Sequence, residues 1–234
     1  MSFKRTRTFE HKPIKLTYSD LVAETEKSGR TYITPEGNRY PSITTILSLR
    51  GKGDIQAWRK RVGEEEANRI SRHACTRGTA VHTLSERYLN NDEVVLDGTE
   101  MPHIKAGFKS IQKILDRSIG KIVLQECPLY SDIIRLAGRV DLIAEYDGQL
   151  SVVDFKTSSR VKDESEITNY FVQAAFYAAA FYERTGIAIQ QSVIIMVVDG
   201  KTDPLVFKAS THSWLPELLT IRAEYEKAKI FGHI

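Results

Sequence analysis

The chain of 234 residues contains only two cysteines, Cys75 and Cys127. Two thiols cannot supply the four sulfur ligands of an iron–sulfur cluster or of a four-cysteine zinc site, so both are excluded. Two thiols also leave little scope for a fold held together by disulfide bonds. We therefore expect a protein of a reducing compartment such as the cytoplasm.

Long hydrophobic runs are missing as well. No stretch of about 18 apolar residues occurs, which argues against a membrane-spanning helix and against a membrane as partner. The basic N-terminus, MSFKRTRTFEHKPIK, lacks the apolar segment of a secretory signal peptide. A transit peptide to the mitochondrial matrix is the less favoured alternative. No coiled-coil pattern is present, and we expect a monomer.

Acidic residues are scarce in the first third of the chain, although the net charge is only +3. Residues 1–77 carry 16 Lys and Arg against 9 Asp and Glu, whereas residues 78–234 carry 17 against 21. A basic segment beside an acidic remainder suits a protein that clamps a polyanion next to a metal site. Ordinary variation in surface charge explains the same numbers equally well.

The composition, 41% hydrophobic and 27% charged, is that of a globular protein. Residues 1–16 resemble a loose arm, and a short hairpin with an ordered turn follows over 30–48. Helices are predicted over 54–74, 78–91, 101–120, 163–186 and 214–231, and strands over 121–131, 138–146, 149–158, 188–200 and 204–210. This order predicts an α/β core behind a helical N-terminal portion.

The stretch GRVDLIAEYDGQLSVVDFKTSS contains two strand-like runs around Asp147-Gly148, a pair that favours a two-residue hairpin loop. With that loop, Asp141 lies opposite Asp154, and Arg139 lies opposite Lys156. Side chains alternate along a strand, so both pairs share one face of the sheet. A longer loop would shift the pairing but keep both acids near one end of the hairpin.

Two carboxylates in such a pair repel each other and lose hydration among apolar neighbours. A divalent cation removes both costs, and Mg²⁺ often binds through one or two carboxylates plus substrate phosphate. Lys156 points into the same place, where it could hold a phosphate or orient a water. The alternative is a solvated face with Asp141–Arg139 and Asp154–Lys156 ion pairs. The apolar run LSVVDFKTS favours the metal site.

The ordered residues resemble a known family. Asp141 followed by Asp154-Phe155-Lys156 is similar to the signature of the PD-(D/E)XK nuclease superfamily. Gln173 and Tyr177 resemble the Gln-x-x-x-Tyr motif of its RecB-like branch, and RGTAVHTLSERYL resembles the helix that supplies a histidine there, here His82. YPSITTIL before a Trp-containing helix is similar to the small exonucleases of mitochondrial genome maintenance and of phages.

This resemblance implies a restriction-endonuclease-like core over 77–234, with a central mixed β-sheet flanked by helices. Residues 1–76 would form an arm, a hairpin and a basic helical clamp for DNA. The implied activity is that of a Mg²⁺- or Mn²⁺-dependent DNA exonuclease preferring single strands or free ends, in DNA replication, recombination, repair or nucleotide recycling. A structure-specific endonuclease and a nucleic-acid-binding module without activity remain as alternatives.

The resemblance also assigns roles to individual residues. The implied catalytic side chains are Asp141, Asp154, Lys156, Gln173 and Tyr177. The implied metal ligands are His82, Asp141, Asp154 and the main-chain carbonyl of Phe155, with Glu126 as an additional candidate. Glu86 lies one helical turn after His82, where it could orient the imidazole; a solvated glutamate is the alternative.

Further polar residues are candidates for binding the nucleic-acid backbone. They are Arg139, Thr157, Ser158, Ser42 and Thr44, and the basic group Arg59, Lys60 and Arg61 around Trp58. Basic residues with an aromatic platform suit single-stranded nucleic acid, because bases stack while phosphates pair with the cations. A solvated helix face with a buried Trp58 is the competing interpretation.

Overall fold

A computed structural model describes residue 5 and residues 7–232 of the chain. In chain order, its elements are β1 (Val22–Glu26), β2 (Gly29–Ile33), β3 (Arg39–Pro41), α1 (Ile43–Ser48), α2 (Lys52–Val62), α3 (Glu64–Leu89), α4 (Pro102–Ser118), β4 (Ile119–Ser131), β5 (Leu136–Tyr146), β6 (Gln149–Ser158), α5 (Thr168–Thr185), β7 (Gln191–Val198), β8 (Leu205–Ser210) and α6 (Leu215–Ile230). No helix of this described part is both long enough and apolar enough to traverse a membrane.

The central sheet has the strand order β4-β5-β6-β7-β8. Strands β6 and β7 are parallel, and the other three neighbouring pairs are antiparallel. Parallel strands need a long crossover connection, which α5 supplies. The predicted fold class, an α/β core with a central mixed sheet flanked by helices, is therefore confirmed.

The two faces of the sheet bury separate hydrophobic clusters. Val153 of β6 packs in a cluster with Phe108 of α4 and with side chains of α3. The preceding residue, Val152, belongs to the cluster of Ile43 in α1 and Phe176 in α5, to which α6 also contributes. Consecutive side chains of β6 thus lie on opposite faces of the sheet, in two different hydrophobic clusters, as the pleat of a strand requires.

The hairpin has the predicted loop, and its ladder runs from Tyr146–Gln149 to Leu142–Val153 in the predicted register. The ladder ends there, so the cross-strand pairs predicted for Asp141 with Asp154 and for Arg139 with Lys156 do not form. The Asp141 carboxylate accepts a hydrogen bond of 2.8 Å from the Phe155 N–H, so a side chain of β5, and not its backbone, bonds to β6 at this point.

The helix break predicted before Gly78 is wrong, because α3 continues through it as one helix of 26 residues. The break lies at Gly63, whose φ of 88° suits glycine and separates α2 from α3. No residue of α2 is buried, and between residues 64 and 76 of α3 only Ala67 is. Burial of α3 resumes at Arg77, the first residue of the predicted core.

The N-terminal portion forms its own three-stranded sheet in the order β1-β2-β3. The predicted hairpin corresponds to β2 and β3, whereas β1 was not predicted. The expected turn after it is the short helix α1, which Ser42 caps by accepting a 3.0 Å hydrogen bond from the Thr45 N–H.

Candidate active site

The imidazole of His82 on α3 lies beside Asp141, midway along β5, and Phe155, in the second half of β6. Its Nε2 is 2.6 Å from the Phe155 carbonyl oxygen, and its Nδ1 is 3.5 Å from Asp141 Oδ2. A carbonyl can only accept, so His82 donates from Nε2. In the neutral ring, Nδ1 then directs a lone pair toward a carboxylate, an arrangement of two electron-rich atoms that favours a cation between them.

Glu126 completes this cluster from the neighbouring strand. The ladder pairs Gln125–Leu142 and Cys127–Val140 flank it, so Glu126 lies across from Asp141. Its backbone has a φ of 44°, which is uncommon for a residue other than glycine. One ligand atom from each of His82, Glu126 and Asp141 lies within 4.8 Å of the other two. Together they line an open pocket of about 380 Å³.

The electrostatics of Glu126 follow from this crowding. Burial, with a further contribution from the neighbouring Asp141 carboxylate, raises the pKa of Glu126 to about 7. A carboxyl that is half protonated at neutral pH is poised to lose its proton when a cation arrives. The donor set is one imidazole nitrogen and carboxylate and carbonyl oxygens, which suits a divalent ion that accepts oxygen ligands.

Asp154 and Lys156 form a buried ion pair beside the cluster. Asp154 is 1% exposed, and Lys156 Nζ lies 2.7 Å from its Oδ1 and 2.6 Å from its Oδ2. Burial raises the pKa of Asp154, which the Lys156 ammonium opposes. Burial alone would lower the pKa of Lys156, but the carboxylates of Asp154 and Asp141 outweigh it, so the pKa is raised and the ammonium stays charged.

The ion pair expected on a solvated face is therefore present, but it is buried. Asp154 is not part of the three-residue cluster; Glu126 takes the place expected for it beside His82 and Asp141. Within residues 7–232, Asp154 Oδ2 nevertheless accepts no hydrogen bond, although the ammonium charge is close. The acidic groups of the site, Glu86, Glu126, Asp141 and Asp154, outnumber its two cationic side chains, Arg139 and Lys156, and a divalent cation would balance this excess.

Gln173 and Tyr177 meet on α5 next to β5. Gln173 is 8% exposed and donates from Nε2 to the Tyr177 hydroxyl at 3.3 Å, and that hydroxyl donates to the Arg139 carbonyl at 2.7 Å. The tyrosine ring passes so close to Gly138 that a Cβ there would lie 3.0 Å from the hydroxyl oxygen. The buried glutamine thus has the tyrosine hydroxyl as its hydrogen-bond partner.

Replacing Tyr177 by phenylalanine should destabilise the fold by about 1–3 kcal/mol, because the Arg139 carbonyl and the Gln173 amide both lose their partner. Urea unfolding would measure this loss. Tyr182 on the same helix is more than half exposed, and its change to phenylalanine is the matched control with no expected effect. Equal stability of the Tyr177 variant and the wild type would contradict the role given to the hydroxyl.

The residues expected to bind the nucleic-acid backbone are only partly brought to this pocket. Arg139 lines it, and its guanidinium donates to the Glu126 carbonyl and to Asp20 Oδ1. Thr157 is half-buried on β6. Ser158 is 5% exposed, and its hydroxyl donates to the Arg160 carbonyl at 2.6 Å.

The N-terminal candidates lie outside the pocket. Ser42 is buried as the cap of α1, and Thr44 is exposed on the same helix. On α2, Trp58 is half-buried, and Arg59 contacts Glu64 and Asn68 of α3. Lys60 and Arg61 are exposed on that helix.

Glu86 lines the pocket with His82, but among the hydrogen bonds of residues 7–232 none joins the two side chains. The main-chain carbonyl of Glu86 accepts a 2.8 Å hydrogen bond from Gln125 instead. The carboxylate of Glu86 contributes to the raised pKa of Glu126, after burial and Asp141. An orienting role for Glu86 stays a prediction.

Sequence reasoning missed Tyr170 and Lys162. The ammonium groups of Lys156 and Lys162 lie 5.0 Å and 5.4 Å from the centroid of the Tyr170 ring, within the range of cation–π attraction. Lys162 also donates to the Tyr170 hydroxyl at 3.2 Å. The sequence did contain a feature that could have identified Tyr170: it lies one helical turn before Gln173, on a helix otherwise rich in alanine and phenylalanine.

Comparison with known proteins gives consistent matches. The family model of the PD-(D/E)XK nuclease superfamily matches residues 54–213. Mitochondrial genome maintenance exonuclease 1 of Homo sapiens is 26% identical over 90% of this chain and 65% of its own length. The Xenopus tropicalis protein of the same name is 27% identical over 93% of this chain and 65% of its own length.

The Mus musculus protein of that name is 30% identical, over 53% of this chain and 39% of the mouse protein. The chain thus spans less than two thirds of the length of these curated relatives. The family match covers well over half of the chain, including every residue of the cluster and of the buried ion pair. The chain belongs to the PD-(D/E)XK nuclease superfamily.

Proposed function

We propose that the protein is a divalent-metal-dependent deoxyribonuclease, an exonuclease of the RecB-like branch, that uses Mg²⁺ or Mn²⁺. The observation that carries the proposal is the convergence of ligand atoms from His82, Glu126 and Asp141 within 4.8 Å, beside a buried Asp154–Lys156 pair. Membership of a nuclease superfamily and similarity to proteins named exonucleases support it.

One group of residues would hold the cation, and another would position the substrate. His82, Asp141, Glu126 and the Phe155 carbonyl would hold the ion, with Asp154 at the edge of the set. When bound, such an ion lowers the pKa of a coordinated water and polarises a phosphate oxygen. The Asp141 carboxylate is already held by the Phe155 N–H, so little reordering is needed on binding.

Lys156 would orient the attacking water or a phosphate oxygen. Its ammonium is fixed between the Asp154 carboxylate and the Tyr170 ring, and it stays protonated because both Asp154 and Asp141 raise its pKa. Gln173 and Tyr177 would act indirectly, by holding the Arg139 carbonyl and thereby the part of β5 that carries Asp141.

The proposed substrate is DNA, as a single strand or with free ends, bound by a monomer. Residues 1–76 would act as the clamp and residues 77–234 as the nuclease core. The exposure of α2 and of the first half of α3 supports this division, because those helices are available to a partner. The proposed setting is cytoplasmic, including that of a phage enzyme in its host, with the mitochondrial matrix as the alternative.

The raised pKa of Glu126 makes metal binding depend on pH. Below about pH 7 the carboxyl keeps its proton in the metal-free protein, and the cation must displace it. Between pH 8 and pH 6, we expect protonation of Glu126 alone to lower the affinity for Mn²⁺ about tenfold. Thermal shifts at graded Mn²⁺ would measure it.

The matched control is Glu126→Gln, which should bind Mn²⁺ more weakly and lose this part of the pH dependence. In the metal-free protein, Glu126 affects the folding stability in the opposite direction: Mn²⁺ affinity rises with pH, whereas stability falls. A carboxyl with a raised folded pKa lowers stability as pH rises from about 4.5 to 7, since the unfolded chain has already lost its proton. An unchanged pH dependence in Glu126→Gln would contradict the assignment.

The activity is tested by digestion of end-labelled linear and circular single-stranded DNA with Mg²⁺, Mn²⁺ or EDTA. We expect metal-dependent degradation of the linear strand and an intact circle. Cleavage of the circle would instead support the endonuclease alternative. DNA binding without cleavage under any metal condition would support a binding module and would contradict the proposal.

A further inference from the structure

We propose that a groove between α3, α4 and the turn joining β7 to β8 binds a single-stranded stretch of the DNA outside the reacting phosphate. The groove has a volume of about 700 Å³ and is distinct from the pocket of the metal cluster. The inference rests on the proposed function, because it concerns the path of the same strand.

The inner surface of the groove suits the flat faces of bases. Its floor consists of small apolar residues, Ala106 and Gly107 on α4 and Val197 on β7. At its side the rings of His73 and His103 stack with centroids 5.5 Å apart and planes 25° apart, and both side chains are exposed. Exposed rings of this kind are stacking platforms for unpaired bases, whose faces a duplex would hide.

The rim of the groove is cationic. Lys109 and Lys113 lie one turn apart on α4, and Lys201 faces them from the β7–β8 turn. Lys113 is 3.3 Å from the exposed Asp203, whereas in residues 7–232 no carboxylate lies within ion-pair distance of Lys109 or Lys201. Two lysines are therefore free to pair with phosphates.

The acid that lines the groove is already neutralised. Asp199 forms an ion pair with Arg77, whose side chain is almost completely buried. This pair leaves the three lysines uncompensated apart from Asp203, so the groove carries a positive potential. The apolar floor and the stacked rings suit the bases of a nucleotide chain, and the cationic rim suits its phosphates.

The groove lies within reach of the metal cluster by two routes. Along β6, Ser158 is three residues after Phe155, about 10 Å away at the strand rise, and its carbonyl accepts a 3.0 Å hydrogen bond from the Asp199 N–H. Along α3, His73 precedes His82 by nine residues, about 14 Å. Both separations correspond to a few nucleotides of one strand.

The test is strand binding in EDTA, where cleavage cannot interfere. Fluorescence anisotropy would compare labelled oligothymidylates of about 4 and 15 nucleotides. For Lys109→Gln/Lys201→Gln we expect the Kd of the longer strand to rise on the order of tenfold near 0.1 M salt. Its salt slope should fall by about 1.4, the share of two lysine–phosphate contacts. The shorter strand, which the groove alone can hold, should bind the variant more weakly as well.

The control is Lys227→Gln/Lys229→Gln on α6, which packs on the opposite face of the sheet and should change neither length. Unchanged binding of the longer strand by the groove variant overturns the groove. Displacement by free thymidine monophosphate as potent as by the strand also overturns it, in favour of a mononucleotide site. Failure of the proposed function would appear separately, as no Mn²⁺-dependent cleavage by the wild type.

Discussion

Asp141→Asn is expected to lower the rate of DNA cleavage by a factor on the order of 10³ or more. The change removes the charge from the carboxylate closest to His82, while the amide oxygen can still accept the hydrogen bond from the Phe155 N–H. Loss of one preorganised electrostatic contact in an active site costs about 10²–10³ in rate, and weakened cation binding adds to it. Initial rates on a labelled linear strand, at one Mn²⁺ concentration that just saturates the wild type, would measure the combined effect.

The same variant should remain folded. Asp141 raises the pKa values of both Glu126 and Asp154, so its charge works against both neighbours in the metal-free protein. In EDTA the Tm of Asp141→Asn should stay close to that of the wild type, because the lost repulsion is offset by the lost attraction to Lys156, whereas a given Mn²⁺ concentration should stabilise the wild type more than the variant. A variant with a much lower Tm in EDTA would show that Asp141 serves the fold instead of the site.

Lys156→Met is expected to destabilise the protein by about 3–5 kcal/mol and to abolish cleavage. Asp154 is 1% exposed, and the methionine would leave its buried carboxylate without a counter-charge. Unfolding in urea at pH 8, where the uncompensated acid is most costly, gives the change in free energy of unfolding.

A double variant separates the stability effect from the catalytic one. In Asp154→Asn/Lys156→Met the buried charge is gone, so most of the lost stability should return, while cleavage should stay absent. Lys208→Met is a matched control, since its ion pair with Asp147 is about half exposed and contributes at most ~1 kcal/mol. Recovery of cleavage in the double variant would refute a direct role for Lys156.

Local patterns in the sequence predicted the hairpin well. The Asp147-Gly148 loop determines the register, and the observed ladder follows it as far as Leu142–Val153. The pattern could not show where the ladder ends. That point depends on the Asp141 carboxylate accepting a hydrogen bond from the Phe155 N–H, a side-chain contact that the alternation of residues along the strands does not predict.

The composition of the cluster was harder to predict than its location. Glu126 was only an additional candidate, because its position opposite Asp141 depends on the register of β4 against β5, and no turn motif in the sequence predicts that register. Asp154 was expected beside His82, but the nearby lysine holds it as a buried ion pair. The groove along α4 was also missed, since its lysines and histidines come from three separate elements.

The central claim, that His82, Glu126 and Asp141 hold a divalent cation, is tested most directly by titrating the metal-free protein with Mn²⁺ in a calorimeter, without DNA. The account predicts saturable binding by the wild type at pH 8, with an affinity at least about tenfold lower in Asp141→Asn, since one charged ligand is removed. Equal Mn²⁺ affinity in the wild type and in Asp141→Asn would contradict it.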